Sequence, residues 1–269
     1  MAVWSLGPNC GIEKRLAAWI CPSCEVTVAH QRACCFATGD LIRNATLVFD
    51  LDGTIADTAG DLIEAANAAL AEQGFSKASP AAIRHGVGYG AKAMLRAALD
   101  ETREAADEAE LDHLAQQLVA FYEQRIAVQT TLFPGFLDAA LALRSRGAKL
   151  ALCTNKTERL MTRLLSELGI ADLFEAVAGR DTFPFHKPDP RHITQLVAQA
   201  GGRLPFAAMI GDSEADIAAA RGAGIAAIAV RFGYAAVPAD ALGADAVLDS
   251  FVELPDLVER LLGRVASEA

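Results

Sequence analysis

The feature that most constrains the fold is an alternation of short apolar runs with helical stretches, which begins near Phe133. The helical stretches are predicted at about 136–146, 158–168, 190–200 and 215–221. The apolar runs, predicted as buried strands, lie at 46–49, 148–153, 176–178, 206–210, 225–230 and 246–248. Strands that alternate with helices pair in parallel, because each helix carries the chain back across the sheet. The sequence therefore predicts an α/β fold, a doubly wound parallel sheet with a Rossmann-like core, whose ligands bind beyond the carboxyl ends of the strands.

Residues 61–130 interrupt this alternation with a block in which only helices are predicted. Apolar side chains recur there at helical spacing, as in Leu111, Leu114 and Leu118. An all-helical block inside an α/β pattern indicates an insertion rather than a part of the sheet. We therefore predict a catalytic core at 44–60 and 131–269 and an inserted helical cap at 61–130.

The first 43 residues hold five of the six cysteines of the chain. Cys21-Pro22-Ser23-Cys24 has the spacing of half a zinc site. A second properly spaced pair is missing, and Cys34-Cys35 is awkward as a pair of ligands. We therefore predict that residues 1–43 form a disordered extension.

The formal net charge is −10, and no stretch gathers Lys and Arg densely. Such a surface argues against nucleic acid and anionic membranes as partners. No apolar run reaches the ~18 residues expected of a transmembrane helix, so the protein is expected to be soluble and cytoplasmic. An anionic substrate then needs a locally positive site, which a bound cation supplies. A homodimer and a monomer are both compatible with the sequence.

Two aspartates follow the first predicted strand, 46–49. Asp50 and Asp52 are two residues apart, so an extended backbone points both the same way. Like charges held close together do not both ionise easily, which favours the protonated form of one carboxyl group. The pair suits catalysis in which Asp50 attacks phosphorus while Asp52 protonates the leaving oxygen and later activates water. A solvated Asp-Gly turn is the simpler alternative for this motif alone.

Thr154 and Asn155 follow the predicted strand 148–153. A hydroxyl group and a backbone amide before a helix form a cradle for phosphate. Thr and Asn are also common helix caps, so the pair alone has two interpretations. We predict that both residues bind the substrate.

Lys187 lies in a stretch with two prolines, Pro188 and Pro190. A transferred phosphoryl group needs its negative charge stabilised, and a fixed ammonium group near the nucleophile does this. We predict that Lys187 is catalytic and substrate-binding, the alternative being a surface lysine in a proline-rich turn.

Asp212 and Asp216 follow the predicted strand 206–210. Mg²⁺ favours an octahedral shell of oxygen ligands that includes few carboxylates. We predict that Asp212 holds Mg²⁺ with Asp50 and the backbone carbonyl of Asp52. Asp216, one helical turn further on, is expected to orient Asp212 or Lys187. Helix capping is the alternative for these aspartates.

Four motifs with these residue types occur in one order along the chain: Asp50-Leu51-Asp52-Gly53-Thr54, Thr154-Asn155, Lys187-Pro188, and Gly211-Asp212-Ser213 through Asp216. This ordered set resembles the four motifs of the haloacid dehalogenase superfamily, and the resemblance covers about residues 45–250. The resemblance implies a Mg²⁺ cofactor, an aspartyl-phosphate intermediate and a helical insertion of the C1 cap type.

Within that superfamily the chain is most similar to the phosphoglycolate phosphatases. The similar stretches are 48–57, 85–90 and 186–190. This resemblance implies a small phosphorylated metabolite as the substrate, namely 2-phosphoglycolate, which is hydrolysed to glycolate.

Other functions are compatible with the same core. A hydrolytic dehalogenase lacks the second aspartate of the first motif, so Asp52 argues against it. A phosphonate hydrolase needs a lysine that forms a Schiff base, for which Lys92 is a candidate. A sugar phosphomutase shares the whole core and stays open. A non-catalytic phosphate- or metal-binding regulator has no need of both Asp50 and Asp52.

Overall fold

A six-stranded parallel sheet lies at the centre of the computed structural model, which describes residues 40–43, 45–204 and 206–268. The strands of the described residues are β1 (Thr46–Phe49), β2 (Ala56–Asp57), β3 (Thr131–Leu132), β4 (Lys149–Cys153), β5 (Ala176–Ala178), β6 (Ala207–Gly211), β7 (Ala226–Val230) and β8 (Ala246–Leu248). The order in the large sheet is β5-β4-β1-β6-β7-β8. The chain thus runs outward to one side of β1 and then to the other, which places a crevice at the carboxyl end of β1.

The α-helices of the described residues are α1 (Asp40–Arg43), α2 (Ala59–Glu72), α3 (Pro80–Arg84), α4 (Ala91–Thr102), α5 (Glu108–Gln124), α6 (Phe136–Ser145), α7 (Glu158–Glu167), α8 (Pro190–Gln199), α9 (Glu214–Ala223) and α10 (Leu254–Glu268). The side chains of β1 alternate between two apolar layers. Leu47 and Phe49 pack in the layer that contains Phe136 of α6, whereas Val48 packs in the layer that contains Ile193 of α8. Because helices cover both faces of the sheet, the predicted doubly wound α/β fold is confirmed.

The predicted all-helical block corresponds to α2–α5, which we call the helical segment. Its two ends meet in an antiparallel ribbon of β2 and β3, in which Ala56 pairs with Leu132. The carboxylate of Asp61, at the start of α2, accepts hydrogen bonds from the backbone N–H groups of Gln129 at 3.0 Å and Thr130 at 2.9 Å. The segment therefore leaves and rejoins the sheet through one short, hydrogen-bonded neck. The domain boundaries at 60/61 and 130/131 stay a prediction.

The predicted extension overlaps the described structure at its last residues. Asp40–Arg43 form α1, in which Leu41 and Ile42 are buried in the same apolar layer as α10. The apolar side chains of Leu41 and Ile42 are thus covered, and the boundary at residue 43 stays a prediction. Residues 1–39, including the cysteines of the half zinc site, lie outside the described residues. Among the described helices, none is both long and apolar enough to cross a membrane.

Candidate active site

The predicted site residues meet at the carboxyl ends of β1, β4 and β6. Phe49 at the end of β1 lies opposite Leu152 of β4 and Ile210 of β6, so the three strands end at nearly the same level. The side chains that follow these strands are consequently neighbours. All the predicted residues except Asn155 are buried in the crevice: Asp50, Asp52, Thr154, Lys187, Asp212 and Asp216.

Lys187 joins two of the carboxylates. Its Nζ lies 2.6 Å from Asp50 Oδ1 and 2.5 Å from Asp216 Oδ1. Lys187 comes just before α8, which begins at Pro190 with Asp189 as its N-cap. A proline at the first helical position and a capping aspartate both stabilise this helix start, so the loop that carries Lys187 is held against a regular element.

The second pair of aspartates is positioned by the start of α9. Ser213 caps this helix, and its backbone N–H and its hydroxyl group donate to Asp216 Oδ2 at 3.0 and 2.6 Å. Asp216 therefore uses one oxygen for Ser213 and the other for Lys187. These contacts agree with a role for Asp216 in orienting Lys187, which stays a prediction.

Asp212 has one oxygen bound and one oxygen without a partner. Asp212 Oδ2 accepts a hydrogen bond from the backbone N–H of Tyr234 at 2.6 Å, whereas Oδ1 is buried with no hydrogen-bond partner. Carboxylate oxygens of Asp50, Asp212 and Asp216 lie within 4.8 Å of one another. A buried oxygen without a donor is costly, and a cation with a preference for oxygen ligands removes that cost. The donor set therefore fits a divalent cation such as Mg²⁺.

The space around Asp212 is closed by glycines. A Cβ atom at Gly53 would lie 2.5 Å from Asp212 Oδ2, and Gly53 also has a φ of +82°. A Cβ atom at Gly233 would lie 2.2 Å from the Cβ of Asp212. Both positions require glycine because the backbone comes too close to the carboxylate to leave room for a side chain.

Burial dominates the ionisation of these carboxyl groups. It raises the pKa of Asp50 to about 7, because Lys187, which lowers this pKa, does not offset the loss of water. The nearby Asp216 and Asp52 raise it further. Burial and the charge of Asp50 likewise raise the pKa of Asp212 well above its ordinary value. In the absence of a cation, the neutral forms of Asp50 and Asp212 are therefore favoured up to a higher pH than for an exposed carboxyl group.

The pKa of Asp50 predicts a pH-dependent penalty on folding in EDTA. Asp50 ionises near 3.8 as an unperturbed group and near 7 in the folded protein, so its favourable contribution is complete below 3.8 and is lost as pH rises towards 7. For each pH unit between these two pKa values, the wild-type protein loses about 1.4 kcal/mol of its free energy of unfolding. Asp50→Asn lacks the ionising group and does not have this loss. Its stability relative to wild type should therefore rise from about pH 4 to about pH 7. Urea unfolding at several pH values measures this difference, and parallel curves for the two proteins would contradict it.

Thr154 and Asn155 occupy the end of β4. Thr154 Oγ1 accepts a hydrogen bond from the backbone N–H of Lys156 at 3.2 Å. Asn155 Nδ2 donates to the backbone carbonyl of Lys187 at 3.2 Å, and its Oδ1 is buried without a partner. Asn155 thus links the β4 loop to the Lys187 loop. Binding of substrate by these two residues stays a prediction.

Asp52 has a cationic neighbour that the sequence analysis did not identify. Lys156 Nζ lies 3.0 Å from Asp52 Oδ1, which also accepts a hydrogen bond from the Thr58 hydroxyl group at 2.6 Å. Lys156 Nζ further donates to the hydroxyl group of Tyr122 at 3.2 Å and lies 4.4 Å from the centre of its ring. Burial alone would lower the pKa of Lys156, but the Asp52 carboxylate raises it above its ordinary value. The sequence feature that could have identified Lys156 is its position directly after Thr154-Asn155.

Tyr234 is a second residue that the sequence analysis missed. Besides its backbone contact with Asp212, its hydroxyl group donates to Asp57 Oδ1 at 2.6 Å in β2. Its carbonyl oxygen accepts a hydrogen bond from His85 Nδ1 at 3.0 Å, and the Arg84 guanidinium lies 4.7 Å from the centre of its ring. The sequence feature that could have indicated Tyr234 is its position beside Gly233, in the loop that follows the predicted strand 225–230. Asp50, Asp212 and Asp216 form what we call the acidic cluster. Tyr234 thus contacts the acidic cluster, the neck and the helical segment at once.

A cavity of about 230 Å³ lies between the crevice and the helical segment. Its polar lining comes from the crevice and includes Asp50, Asp52, Lys156 and Lys187. Its apolar lining comes largely from the helical segment: Leu62, Val87, Met94, Leu118 and Val119. This volume lies below the range of about 300–1,000 Å³ that is typical of sites for drug-sized ligands, so the space suits a small metabolite.

The fold and this site define a class of protein. Residues 47–230 match the family model of the haloacid dehalogenase-like hydrolases. The match spans more than half of the chain, and the chain belongs to this family. It is an enzyme of the phosphoric monoester hydrolase class.

Particular relatives are similar over most of this chain. The phosphoglycolate phosphatase of Caulobacter vibrioides is 40% identical over 221 residues, 82% of this chain and 93% of that protein. The phosphoglycolate phosphatase of Agrobacterium fabrum is 40% identical over 223 residues, 82% of this chain and 96% of that protein. A crystal structure of a predicted phosphoglycolate phosphatase from Haemophilus somnus superposes with a TM-score of 0.74 at 27% identity, covering 80% of this chain and 98% of that chain.

Proposed function

We propose that this enzyme hydrolyses 2-phosphoglycolate to glycolate and phosphate, through an aspartyl-phosphate formed on Asp50 and with Mg²⁺ as cofactor. The observation that carries the mechanism is the presence of Asp50 and Asp52 in one buried cavity, each beside its own lysine. The choice of substrate is supported by the names of relatives that share about 40% of their residues with this chain.

In the first step, a carboxylate oxygen of Asp50 attacks phosphorus, and the bond between phosphorus and the leaving oxygen breaks. Asp52 gives its proton to that oxygen. Water then attacks the phosphorus of the aspartyl-phosphate, and the bond between phosphorus and the Asp50 oxygen breaks, which releases phosphate and restores the Asp50 carboxylate. Asp52 takes the proton of the water and so regains the proton that it gave to the leaving oxygen. Lys187 stabilises the negative charge of the phosphoryl group, and Asp216 holds Lys187 in place.

Asp50, Asp212 and the backbone carbonyl of Asp52 would hold Mg²⁺. When bound, this cation neutralises negative charge on the phosphoryl group and on the aspartates. Four buried carboxyl groups stand here against two buried lysines, and this excess of acidic groups supports a dication at the site.

A panel of phosphomonoesters tests the function. We expect phosphate release with a strong preference for 2-phosphoglycolate over sugar phosphates and over aryl phosphates. Preference for another ester would keep the mechanism and overturn the substrate. Absence of phosphate release from every ester would overturn the function in favour of a phosphomutase, a phosphonate hydrolase or a binding-only protein.

Removal of divalent cations with EDTA should reduce phosphate release at least about 100-fold, and added Mg²⁺ should restore it. Mg²⁺ should also raise the midpoint of thermal unfolding, because a ligand that binds only the folded state stabilises it. Asp212→Asn should abolish this shift, whereas Asp138→Asn, on the exposed side of α6, should keep it. Full activity in EDTA would contradict the cofactor.

The contacts of Lys92, the candidate Schiff-base lysine, argue against a phosphonate hydrolase. Lys92 Nζ lies 2.5 Å from Asp112 and 3.6 Å from Glu108 on the surface of the helical segment. Lys92 is not among the described residues that line the cavity. A lysine that forms a Schiff base needs an unpaired amine beside the reacting carbon, and these ion pairs keep the Lys92 side chain charged on the surface.

A further inference from the structure

Each of the two buried lysines of the crevice contacts a different aspartate of the first motif. Lys187 contacts Asp50, the proposed nucleophile, whereas Lys156 contacts Asp52, the proposed acid. We propose that Lys156 binds the carboxylate of the substrate's leaving group and thereby selects phosphomonoesters that carry a second negative charge. This inference rests on the proposed function, because it takes the leaving group to lie on the Asp52 side.

The side chain of Lys156 is held in the cavity from two sides. Only 6% of it is exposed. Asp52 contacts its ammonium group from the crevice, and Tyr122 of α5 contacts it from the helical segment. A buried ammonium group that is fixed before the ligand binds loses little conformational freedom on binding. Lys156 is therefore a preorganised site for an anion.

The position of Lys156 matches the geometry of the proposed substrate. Asp52 must contact the leaving oxygen in order to protonate it. Lys156 Nζ lies 3.0 Å from an oxygen of the same carboxyl group, so both groups border the space of the leaving group. In glycolate a single carbon separates the leaving oxygen from the carboxylate. A carboxylate at that short distance falls within the reach of Lys156.

Apolar side chains form a large part of the cavity lining. Leu62, Leu118, Val119 and Leu160 line it together with Tyr122 and Lys156, and polar residues such as Thr157 and Ser213 line it as well. Apolar side chains exclude water, and a lower effective dielectric constant strengthens the attraction between an ammonium group and a carboxylate. A neutral leaving group lacks this attraction, so discrimination follows from charge more than from size.

Arg180 is the third cation on the cavity lining besides Lys156 and Lys187, and its surroundings differ. It is exposed, and a Cβ atom at Gly90 would lie 3.5 Å from its Nη1. Arg180 also lines a second, outer cavity together with Tyr89 and His186. A charge that is in contact with water contributes less to binding than a buried one. Arg180 thus lies at the mouth of the site and not in the space beside Asp52.

Two esters that differ mainly in the carboxylate test the assignment. Ethyl phosphate has a methyl group where 2-phosphoglycolate has its carboxylate. We expect the wild-type enzyme to prefer 2-phosphoglycolate in kcat/KM, and Lys156→Met to reduce that preference about 100-fold. Lys156→Arg should recover part of the preference because it restores the charge. Lys92→Met, which removes a lysine of the helical segment that does not line the cavity, should leave the preference unchanged.

A binding measurement separates recognition from turnover. In the Asp50→Asn background, calorimetry with Mg²⁺ present should show that Lys156→Met weakens the binding of 2-phosphoglycolate about 100-fold and that of ethyl phosphate much less. Lys156→Gln keeps a hydrogen-bond donor beside Asp52 and serves as the second variant where Lys156→Met does not fold.

The outcomes distinguish this inference from the proposed function. A wild-type enzyme without preference for 2-phosphoglycolate would overturn the proposed substrate. A preference that survives in Lys156→Met or Lys156→Gln would overturn the role of Lys156 and leave the substrate in place. A preference lost in Arg180→Gln but kept in the Lys156 variants would assign the carboxylate to Arg180. Equal losses for both esters in the Lys156 variants would show that Lys156 serves Asp52 and not the substrate.

Discussion

Asp50→Asn is expected to lower kcat by at least about 10⁴-fold while the protein keeps its fold. The amide is nearly the same size as the carboxyl group, but its oxygen is a poor nucleophile towards phosphorus. The fold should be retained because burial already favours the neutral form of Asp50, with its pKa raised to about 7. Lys187 also keeps its second partner, Asp216. Phosphate release from 2-phosphoglycolate measures the loss of kcat. Circular dichroism and urea unfolding measure whether the variant keeps its fold.

The matched control is Asp138→Asn, which makes the same chemical change on an exposed part of α6. It should retain wild-type kcat. In the wild-type enzyme, acid quenching during turnover with substrate labelled on phosphorus should trap label on the protein, and Asp50→Asn should trap none. Residual turnover of Asp50→Asn above about 1% of the wild-type rate would exclude Asp50 as the nucleophile.

Lys187→Met is expected to reduce kcat about 10²–10³-fold and also to destabilise the protein by about 3–5 kcal/mol. The loss of activity follows from the loss of the positive charge beside the phosphoryl group. The loss of stability has a separate cause. Asp50 and Asp216 both contact Lys187 Nζ, at 2.6 and 2.5 Å, so its removal leaves two buried carboxyl groups without their cation.

A second substitution separates the two effects. Lys187→Met combined with Asp216→Asn removes one of the uncompensated charges, so it should recover part of the lost stability without recovering activity. Lys77→Met, on an exposed lysine of the helical segment, should change neither quantity. A Lys187→Met protein as stable in urea as wild type would mean that the buried ion pairs contribute nothing to folding.

Much of the fold could be predicted from the sequence because a parallel sheet buried on both faces leaves a clear pattern. Each strand of the large sheet is a short apolar run, and the helices between them carry apolar side chains at helical spacing. The strands 46–49, 176–178 and 246–248 were predicted at their observed residues. The others differ by one residue at one end or both, as at 149–153.

Three elements were missed for different physical reasons. The ribbon of β2 and β3 has two residues per strand, too few for an alternation to appear, and it depends on a pairing between residues 56 and 132 that lie far apart in the chain. The short helix α1 packs against α10. This contact joins distant parts of the chain, so the helix propensity of residues 40–43 gives no indication of it. The helix α10 did have a signal, because Leu254, Leu257, Val258 and Leu261 follow helical spacing and are buried.

The candidate site could be predicted most directly where a residue follows a strand. Asp50, Thr154 and Asp212 all do, and parallel strands that end at one level bring them together. Lys156 was missed because its importance comes from Asp52 and Tyr122, which lie about 100 and 34 residues away along the chain. Tyr234 was missed because its contacts with Asp212 and Asp57 are long-range as well. Such contacts have no periodicity in the sequence.

The contacts of Tyr234 have a thermodynamic consequence. One residue donates its N–H to Asp212, accepts a hydrogen bond from His85 and holds Asp57 of the neck through its hydroxyl group. A displacement of the helical segment that breaks the His85 contact therefore changes the support of the Asp212 carboxylate. Coupling of this kind is reciprocal, so a cation that binds Asp212 and a movement of the helical segment at His85 would bias each other by the same free energy. Cation binding and the position of the helical segment are therefore expected to be linked through Tyr234.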